Sequence, residues 1–331
     1  MSEISNLASA AASIVSNELP ADMAEAIARF DQAAEEITVN FVGELETEPA
    51  PAALYHYTNR KGLEGILSSG TLWVGDIFKM NDTSELKHGI SQADEIFRKM
   101  ADVGPPESNL FSGQFSTLLS QSGVESVAHY FTCSLCKAGD DPNMWRDYAE
   151  NRRGFALEFD GPLLEEIYTK HPDGLPVVNN STFPVAYDDA KLRGMLGKII
   201  DAAFPLISAP YGRGLSSEKN RIYIRELWLT VAVHTLRCGL FFKKEKHSIE
   251  QEYRLLQVFR GDQAVPSVKL KPCSNFRYRE FDWKSRDLAA LRRITVGPAA
   301  EAGTEDLVRQ LLSTGGFSGV TVDRSRIPYR G

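Results

Sequence analysis

The chain has 331 residues, of which 43% are hydrophobic and 24% are charged, with a formal net charge of −7. These values are typical of a globular protein with a sizeable core, and four cysteines in a chain this long do not make a disulfide framework. No apolar run approaches the roughly 20 residues of a membrane span, and the N-terminus lacks the pattern of a signal peptide. We therefore expect no membrane contact and a cytoplasmic location, or delivery into a target cell without a cleavable signal peptide.

The acidity is concentrated at the N-terminus. Residues 1–50 carry ten acids and one base, a net charge of −9, so the rest of the chain carries +2. Because Pro49 and Pro51 follow the acidic stretch, residues 1–50 are predicted to form an acidic helical arm and a linker. Residues 51–331 are predicted to form the main folded domain.

An apolar stripe at helical spacing follows Pro20 within this arm. Its members are Met23, Ile27, Phe30, Ala34, Ile37 and Phe41. The stripe predicts a helix over residues 21–41 that either packs on the body of the protein or binds a partner or a second copy of the chain.

The folded domain is predicted to contain strands scattered among helices. A strand over Leu54–Thr58 precedes a helix over Asn59–Ser69, which Gly70 ends. Further strands are predicted at 71–74, 127–135, 155–159, 267–270, 293–296 and 319–322, and further helices at 86–100, 144–149, 188–206, 217–240 and 304–312. Residues 160–248 are expected to be largely helical. Without a regular β-α-β spacing, this order of elements predicts an α+β fold.

The stretch Ile249–Phe259 combines a predicted core strand with charged side chains. Its second half is apolar, whereas its first half carries two carboxylates and a guanidinium. Because side chains alternate across a strand, Glu250, Glu252 and Arg254 are predicted to project from one face. The structural interpretation is an edge strand with an ordinary Glu–Arg pair. The functional interpretation is a catalytic carboxylate, Glu252, that Arg254 keeps ionised.

Several common sites are not indicated by the sequence. There is no G-x-G-x-x-G after a strand, no P-loop and no G-x-S-x-G. Cys133 and Cys136 form a C-x-x-C near His129, but no second pair follows at a spacing suited to zinc. An offset of three along a strand also places two sulfurs on opposite faces. We predict no metal site.

Eight short motifs follow one another along the folded domain. They are Tyr55-His56-Tyr57-Thr58, Gly65-Ile66-Leu67, Leu72-Trp73, Met80-Asn81-Asp82 with Glu85, Cys133-Ser134, Met144-Trp145 with Tyr148-Ala149, Gly154 to Phe159, and Glu250-x-Glu252-Tyr253-Arg254. Each is weak alone, but their order and spacing resemble the bacterial domain-of-unknown-function family 2971 over about residues 54–327. That family is similar in layout to ADP-ribosyltransferases, which implies a split β-sheet core with helical insertions, here preceded by the N-terminal helical arm.

The resemblance implies an enzyme that consumes NAD and transfers ADP-ribose to a macromolecular acceptor, either a protein or a nucleic acid. A bacterial toxin, an effector or a phage-defence protein would be its setting. ADP-ribosyltransferases present a His or Arg on an early strand, a Ser, Thr or Tyr in the middle and a Glu late in the chain. The implied catalytic residues are His56, Tyr148 and Glu252, with Ser134 as the alternative middle residue. The implied NAD-binding residues are Tyr57, Thr58, Ser134, Trp145 and Arg254, and Glu250 is expected to face the acceptor.

The same residues have structural interpretations. A lone histidine on a strand, such as His56, is commonly a hydrogen-bonded core residue. Trp145 is expected to pack in the core, whereas Tyr148 either packs there or stacks on nicotinamide. Asn81, Asp82 and Glu85 are expected to form a helix cap before any site.

Residues 267–293 contain eight bases and three acids, a net charge of +5. Phe276, Tyr278, Phe281 and Trp283 are interleaved with them. This pattern is typical either of a nucleic-acid-binding stretch or of solvated loops with core aromatics. The alternative functions are therefore an NAD glycohydrolase, a nucleotide-binding sensor without chemistry, and a nucleic-acid-binding module on the same fold.

Overall fold

A computed structural model describes residues 19–46, 49–79, 84–103, 128–170, 179–207, 209, 216–260, 265 and 267–328. Asn81 and Asp82, predicted to cap a helix, lie outside the described residues, and the Glu85 side chain is likewise not described. The helices are α1 Ala21–Glu46, α2 Arg60–Ser69, α3 Ser84–Val103, α4 Pro142–Tyr148, α5 Gly161–Thr169, α6 Asp189–Ile207, α7 Ser217–Leu240 and α8 Thr304–Gly315. The strands are β1 Ala53–Thr58, β2 Thr71–Asp76, β3 Ala128–Cys136, β4 Phe155–Asp160, β5 Asn179–Pro184, β6 Glu252–Arg260, β7 Lys269–Leu270, β8 Arg277–Asp282, β9 Leu291–Val296 and β10 Thr321–Arg324. Short 3₁₀ helices occupy Ile77–Lys79, Glu245–Glu250 and Leu288–Ala290.

The predicted α+β class is confirmed. The described strands form one open mixed sheet, in which β9 and β10 are parallel and the other pairs are antiparallel. The predicted strands and helices are present with ends shifted by a few residues. Two strands were not predicted. β5 lies in the stretch expected to be largely helical, and β8 lies within the basic and aromatic stretch.

Local sequence signals explain several of these boundaries. The side chain of Asn59 accepts a hydrogen bond from the backbone N–H of Gly62 and so begins α2. Gly70 ends the same helix with a φ of 71°, a left-handed conformation that glycine adopts at little cost. Asp160 begins α5 in the same way, by accepting from the N–H of Leu163. These caps fix the turns from β1 into α2 and from β4 into α5.

Strand β3 forms a fork in the sheet. Along one edge, all nine residues of β3 pair with β6. Along the other edge, β1 pairs with β3 only at Cys136, and β2 pairs with it only at Phe131 and Thr132. Between these points β1 and β2 diverge, so Ser134 has a described strand partner on one edge alone. The fork leaves a gap in the sheet at the middle of β3.

Helices cover both faces of the sheet. On one face α1, α3, α6 and α7 pack together over Tyr130, Phe183 and Leu256, from β3, β5 and β6. On the other face α2, α5 and α8 pack over side chains such as Phe131 and Leu255. Since neighbouring residues of a strand point to opposite faces, Ser134, Glu252 and Arg254 lie on the face of α7. Within the described part of the chain, no helix is both long enough and apolar enough to cross a membrane.

Helix α1 packs against α6 and α7 of the same chain. Five of its six stripe residues are buried there, and Ile37 packs at the margin. Two of its acids are also buried: Asp31 contacts His234 at 2.8 Å, and Glu35 forms an ion pair with Arg237. Of the two interpretations of this helix, packing on the body is the one that the structure shows. The apolar stripe is therefore already covered within the chain.

Candidate functional site

A cavity of about 350 Å³ opens at the fork of the sheet. Its walls come from all three branches of the fork, β1, β2 and the paired strands β3 and β6. Its lining includes His56, Trp73, Ser134, Tyr148, Glu250 and Glu252. The predicted catalytic residues, which are widely separated in the sequence, therefore border one cavity. A cavity of this size is in the range of small-molecule sites.

Glu252 is the most deeply buried carboxylate of this cavity, with 3% of its surface exposed. Its Oε1 atom accepts hydrogen bonds from the Ser134 hydroxyl and from Arg254 Nε, both at 2.6 Å. Its Oε2 atom accepts from Lys243 Nζ at 2.9 Å and from the second Arg254 nitrogen at 3.2 Å. A carboxylate offers about four lone-pair positions, so these donors occupy all of them.

The surroundings keep Glu252 ionised. Burial by itself raises the pKa of this carboxyl group, but the charges and hydrogen bonds of Arg254, the Lys243 ammonium and the Ser134 hydroxyl outweigh that effect and hold the pKa well below its ordinary value. Arg254 is itself fixed by donating to the carbonyl of Leu240 at the end of α7, at 2.6 Å. Cations at a helix C-terminus are favoured by the helix dipole. These contacts are the geometric basis for the predicted pairing of Arg254 with Glu252.

Glu250 lies beside Glu252, but it is not in the strand. It ends the 3₁₀ helix Glu245–Glu250, and Gln251 then takes a left-handed conformation with φ 41° before β6 begins. The prediction that Glu250, Glu252 and Arg254 project from one face of a strand is therefore wrong for Glu250. The turn at Gln251, together with Lys243, brings the two carboxylates together instead.

Lys243 joins the two carboxylates. Its ammonium donates to Glu250 Oε2 at 2.6 Å and to Glu252 Oε2 at 2.9 Å, and its side chain is 9% exposed. The other oxygen of Glu250 contacts His247 Nδ1 at 2.9 Å. A buried lysine between two carboxylates offsets their mutual repulsion in a small space.

His56 spans the fork from β1. Its ring is hydrogen-bonded to the backbone of Ser134, and its Nδ1 atom is buried without a hydrogen-bond partner among the described residues. Burial lowers the pKa of His56 to about 4, and the bond to Ser134 only partly opposes this effect. The imidazole is therefore neutral at pH 7. Its ring borders the cavity, and its Nδ1 atom is buried.

Tyr148 stands at the end of α4, on the open side of the cavity. Its side chain is 47% exposed, and its hydroxyl is hydrogen-bonded to Glu250. Burial of the hydroxyl, the charge of Glu250 and this bond raise the pKa of Tyr148. The ring is therefore free to contact a ligand, while the hydroxyl is held by the carboxylate. Ser134 is also exposed to the cavity, so the structure brings both candidates for the middle residue to the site.

Of the predicted NAD-binding residues, Tyr57 and Ser134 border the cavity, whereas Thr58, Trp145 and Arg254 do not. Tyr57 borders the cavity, but its hydroxyl donates to the carbonyl of Ala138 at 2.9 Å. Trp145 is fully buried, packs edge-on against Tyr57 and donates to Asp140. Thr58, at the end of β1, does not border the cavity. Trp145 is therefore a core residue, as its structural interpretation predicts.

Sequence reasoning missed two residues of the site. Lys243 lies three residues after the end of α7, and Tyr187 lies between β5 and α6. The hydroxyl of Tyr187 accepts a hydrogen bond from the backbone N–H of Glu252 at 2.9 Å and so fixes the start of β6. No local pattern marks Tyr187, whereas three lysines within residues 243–246, shortly before two carboxylates, were a usable signal for Lys243.

The positive charge of residues 267–293 is partly neutralised by acids from elsewhere in the chain. Arg277 pairs with Asp76, Arg292 with Asp160, and Arg293 with Glu158 and Asp323. Lys269 pairs with Glu280 within the stretch. Phe281 and Trp283 are buried in the core. The net charge of this stretch therefore overstates the positive electrostatic potential around it.

The described histidines and cysteines do not form a metal site. No group of three or more His, Cys, Asp or Glu side chains in the described part of the chain has the arrangement of metal ligands. Cys133 packs in the core of the α2 face, whereas Cys136 packs on the opposite face and donates to the carbonyl of Glu250 at 2.9 Å. The predicted placement of the two sulfurs on opposite faces is confirmed.

Comparisons with known proteins give a match to one family model over part of the chain. Residues 144–255 match the family model described as "Protein of unknown function (DUF2971)". The matched segment contains Tyr148, Lys243, Glu250 and Glu252, and the predicted resemblance to this family is confirmed there. No curated protein matches the chain, and no solved structure matches it either.

Proposed function

We propose that this chain, whose residues 144–255 match the DUF2971 family model, is an NAD-consuming ADP-ribosyltransferase with an ADP-ribosyltransferase-like split sheet. The observation that carries the proposal is the position of Glu252. It is an ionised carboxylate buried beside an open cavity, bound to a cavity-facing Ser134 hydroxyl, with His56 and Tyr148 on neighbouring walls. A negative charge held in this way suits a reaction in which positive charge develops on a sugar.

The bond to be broken is the N-glycosidic bond between nicotinamide and ribose. Its electron pair leaves with the nicotinamide nitrogen, and the ribose carbon develops oxocarbenium character, as in glycoside hydrolysis. Glu252 stabilises this charge and binds a ribose hydroxyl. Since its oxygens already have four donors, the hydroxyl takes the place of Lys243 at Oε2, and Lys243 keeps its bond to Glu250.

The acceptor then supplies the new bond. A nucleophilic atom of the acceptor donates an electron pair to the ribose carbon, and its proton passes to the carboxylate of Glu250. Glu250 suits this role because it lies at the cavity beside Glu252 and is 13% exposed, so an acceptor reaches it from solvent. Tyr148, 47% exposed, offers its ring to the nicotinamide.

The test measures release of nicotinamide from labelled NAD in the presence of a panel of protein and nucleic-acid acceptors. We expect Glu252→Gln to reduce release by on the order of 100-fold or more. Glu245→Gln, an exposed carboxylate on the neighbouring 3₁₀ helix, is the matched control and should leave the rate unchanged. Absence of release by the wild-type protein across the panel, or an equal rate in Glu252→Gln, would contradict the proposal.

The occupied oxygens of Glu252 favour a second candidate function, a nucleotide-binding sensor that performs no chemistry. Calorimetry distinguishes it, because NAD or ADP-ribose would then bind without turnover. An NAD glycohydrolase differs in its product: free ADP-ribose accumulates and no macromolecule becomes labelled.

A further inference from the structure

Three aromatic rings form a stacked wall on one side of the cavity. Trp73 and Tyr278 are stacked with ring centroids 3.9 Å apart, and Phe276 lies nearly parallel to Tyr278 at 6.3 Å. Trp73 and Phe276 both border the cavity, whereas Tyr278 is buried. Trp73 comes from β2, on the opposite side of the fork from Glu252. The aromatic wall and the carboxylates thus approach one cavity from different branches.

Trp73 is 44% exposed, although it is the kind of side chain that a core normally buries. The stack with Tyr278 holds its ring in place, so a planar ligand would find an ordered surface and cause little loss of side-chain entropy. The other three tryptophans, Trp145, Trp228 and Trp283, are all buried. Trp73 is therefore the exposed tryptophan, and it borders the cavity.

Four lysines flank, along the chain, residues that line the cavity. Lys137 follows Cys136, Lys244 follows Lys243, and the backbone N–H of Lys271 donates to the carbonyl of Phe276 at 3.0 Å. Lys246 lies in the 3₁₀ helix that ends at Glu250. None of these four lysines forms an ion pair with an acid among the residues that the structure describes. An aromatic wall with such lysines nearby in the chain is complementary to bases joined by phosphates.

We propose that the Trp73–Tyr278–Phe276 wall binds an unpaired base of single-stranded nucleic acid, with the flanking lysines on its phosphates. Acceptance of ADP-ribose by that nucleic acid rests on the proposed function, whereas the binding does not. Base-paired nucleic acid hides the faces of its bases inside the stack, so a duplex cannot contact the wall in the same way.

The experiment measures anisotropy of a fluorescein-labelled 12-nucleotide single strand of mixed sequence, as DNA and as RNA, without NAD. A duplex of the same sequence is the comparison. We expect the single strand to bind more tightly than the duplex, and Trp73→Ala to weaken its binding by on the order of tenfold. Trp73→Phe, which keeps a ring, should retain most of the affinity. Leu288→Ala, at another exposed apolar side chain (43% exposed) that does not border this cavity, should have no effect.

Two further readouts separate stacking from loss of folding. An unlabelled single strand should quench tryptophan fluorescence in the wild-type protein and not in Trp73→Phe. Replacing Lys244 or Lys271 with Ser should reduce the slope of log affinity against log salt by about 0.7 for each lysine that contacts a phosphate. No binding of either single strand, equal binding of the duplex, or unchanged affinity in Trp73→Ala overturns the inference.

The proposed function and this inference can fail separately. Nicotinamide release that depends on Glu252, with labelled protein and no oligonucleotide binding, overturns the inference and leaves the proposed function. Oligonucleotide binding that depends on Trp73, without nicotinamide release, supports the inference and contradicts the proposed function.

Discussion

The hydroxyl of Ser134 donates to Oε1 of Glu252 at 2.6 Å, across the two paired strands β3 and β6. Ser134 is paired in register with Arg254, and Cys136 with Glu252, so the hydroxyl reaches its partner diagonally. A shift of the register by one residue would move the whole set to the other face of the sheet. The site therefore depends on the pairing of these two strands.

Ser134→Ala should weaken the site without unfolding it. The hydroxyl lowers the pKa of Glu252, so its removal raises that pKa, while Arg254 and Lys243 still hold it below the ordinary value. We expect nicotinamide release to fall by on the order of tenfold to 100-fold, the effect of one hydrogen bond to a charged group. Ser248→Ala, at an exposed serine of the neighbouring 3₁₀ helix, is the control. Equal rates in the two variants would rule out a role for the Ser134 hydroxyl.

Lys243→Met should destabilise the protein. Glu250 and Glu252 would face each other in a buried site without the ammonium between them, although Arg254 would still compensate Glu252. We expect a loss of about 2–4 kcal/mol in the free energy of unfolding, measured in urea. Lys244→Met changes the exposed neighbour and should stay within about 0.5 kcal/mol. Similar values for both variants would show that the bridge contributes little.

His56 should make stability depend on pH between about 4 and 6.5. The folded protein takes up the proton near pH 4 and the unfolded chain near 6.5, so the unfolded chain binds more protons between these values. Stability consequently falls as the pH falls through this window. In His56→Gln this contribution is absent. The unfolding free energy of the wild type minus that of the variant should decrease by about 2 kcal/mol from pH 7 to 4.5. Parallel curves for the two proteins would contradict this account.

The sequence predicted the helices with regular apolar spacing better than it predicted the strands in which polar and apolar residues are mixed. The helices with regular apolar spacing, α2, α6 and α7, were predicted within two residues at each end. Strand β8 was missed because charges and aromatics alternate along it, and its buried Arg279 is stabilised by a hydrogen bond to Gln257 on another strand. Such a partner is not visible in a local pattern. Strand β5 lacks an apolar alternation altogether.

Prediction of the site had a similar limit. Family resemblance selected His56, Ser134, Tyr148 and Glu252, which the fork does bring to one cavity. Spacing alone placed Glu250 in the strand, because nothing in the sequence marks Gln251 as a left-handed residue. Glycine or asparagine is the usual signal for that conformation. Lys243 reaches the carboxylates only because α7 ends beside them.

We expect helix α1 to unfold together with the rest of the protein and not as an independent arm. Phe30 is 4% exposed, packs edge-on against His234 of α7, and belongs to one cluster with α6. Phe30→Ala leaves a cavity at this contact, so we expect a loss of about 3–5 kcal/mol in the free energy of unfolding. Glu36→Ala changes an exposed residue of the same helix and should cost less than about 1 kcal/mol.

The measurement is urea unfolding, followed by circular dichroism and by tryptophan fluorescence. If α1 unfolds with the rest of the protein, the two signals should give one transition, which moves to lower urea in Phe30→Ala with an unchanged slope. An independent arm would instead give a separate early transition in the helical signal alone. In that case Phe30→Ala would leave the main transition unchanged, and helix 21–41 would again be a candidate surface for a partner.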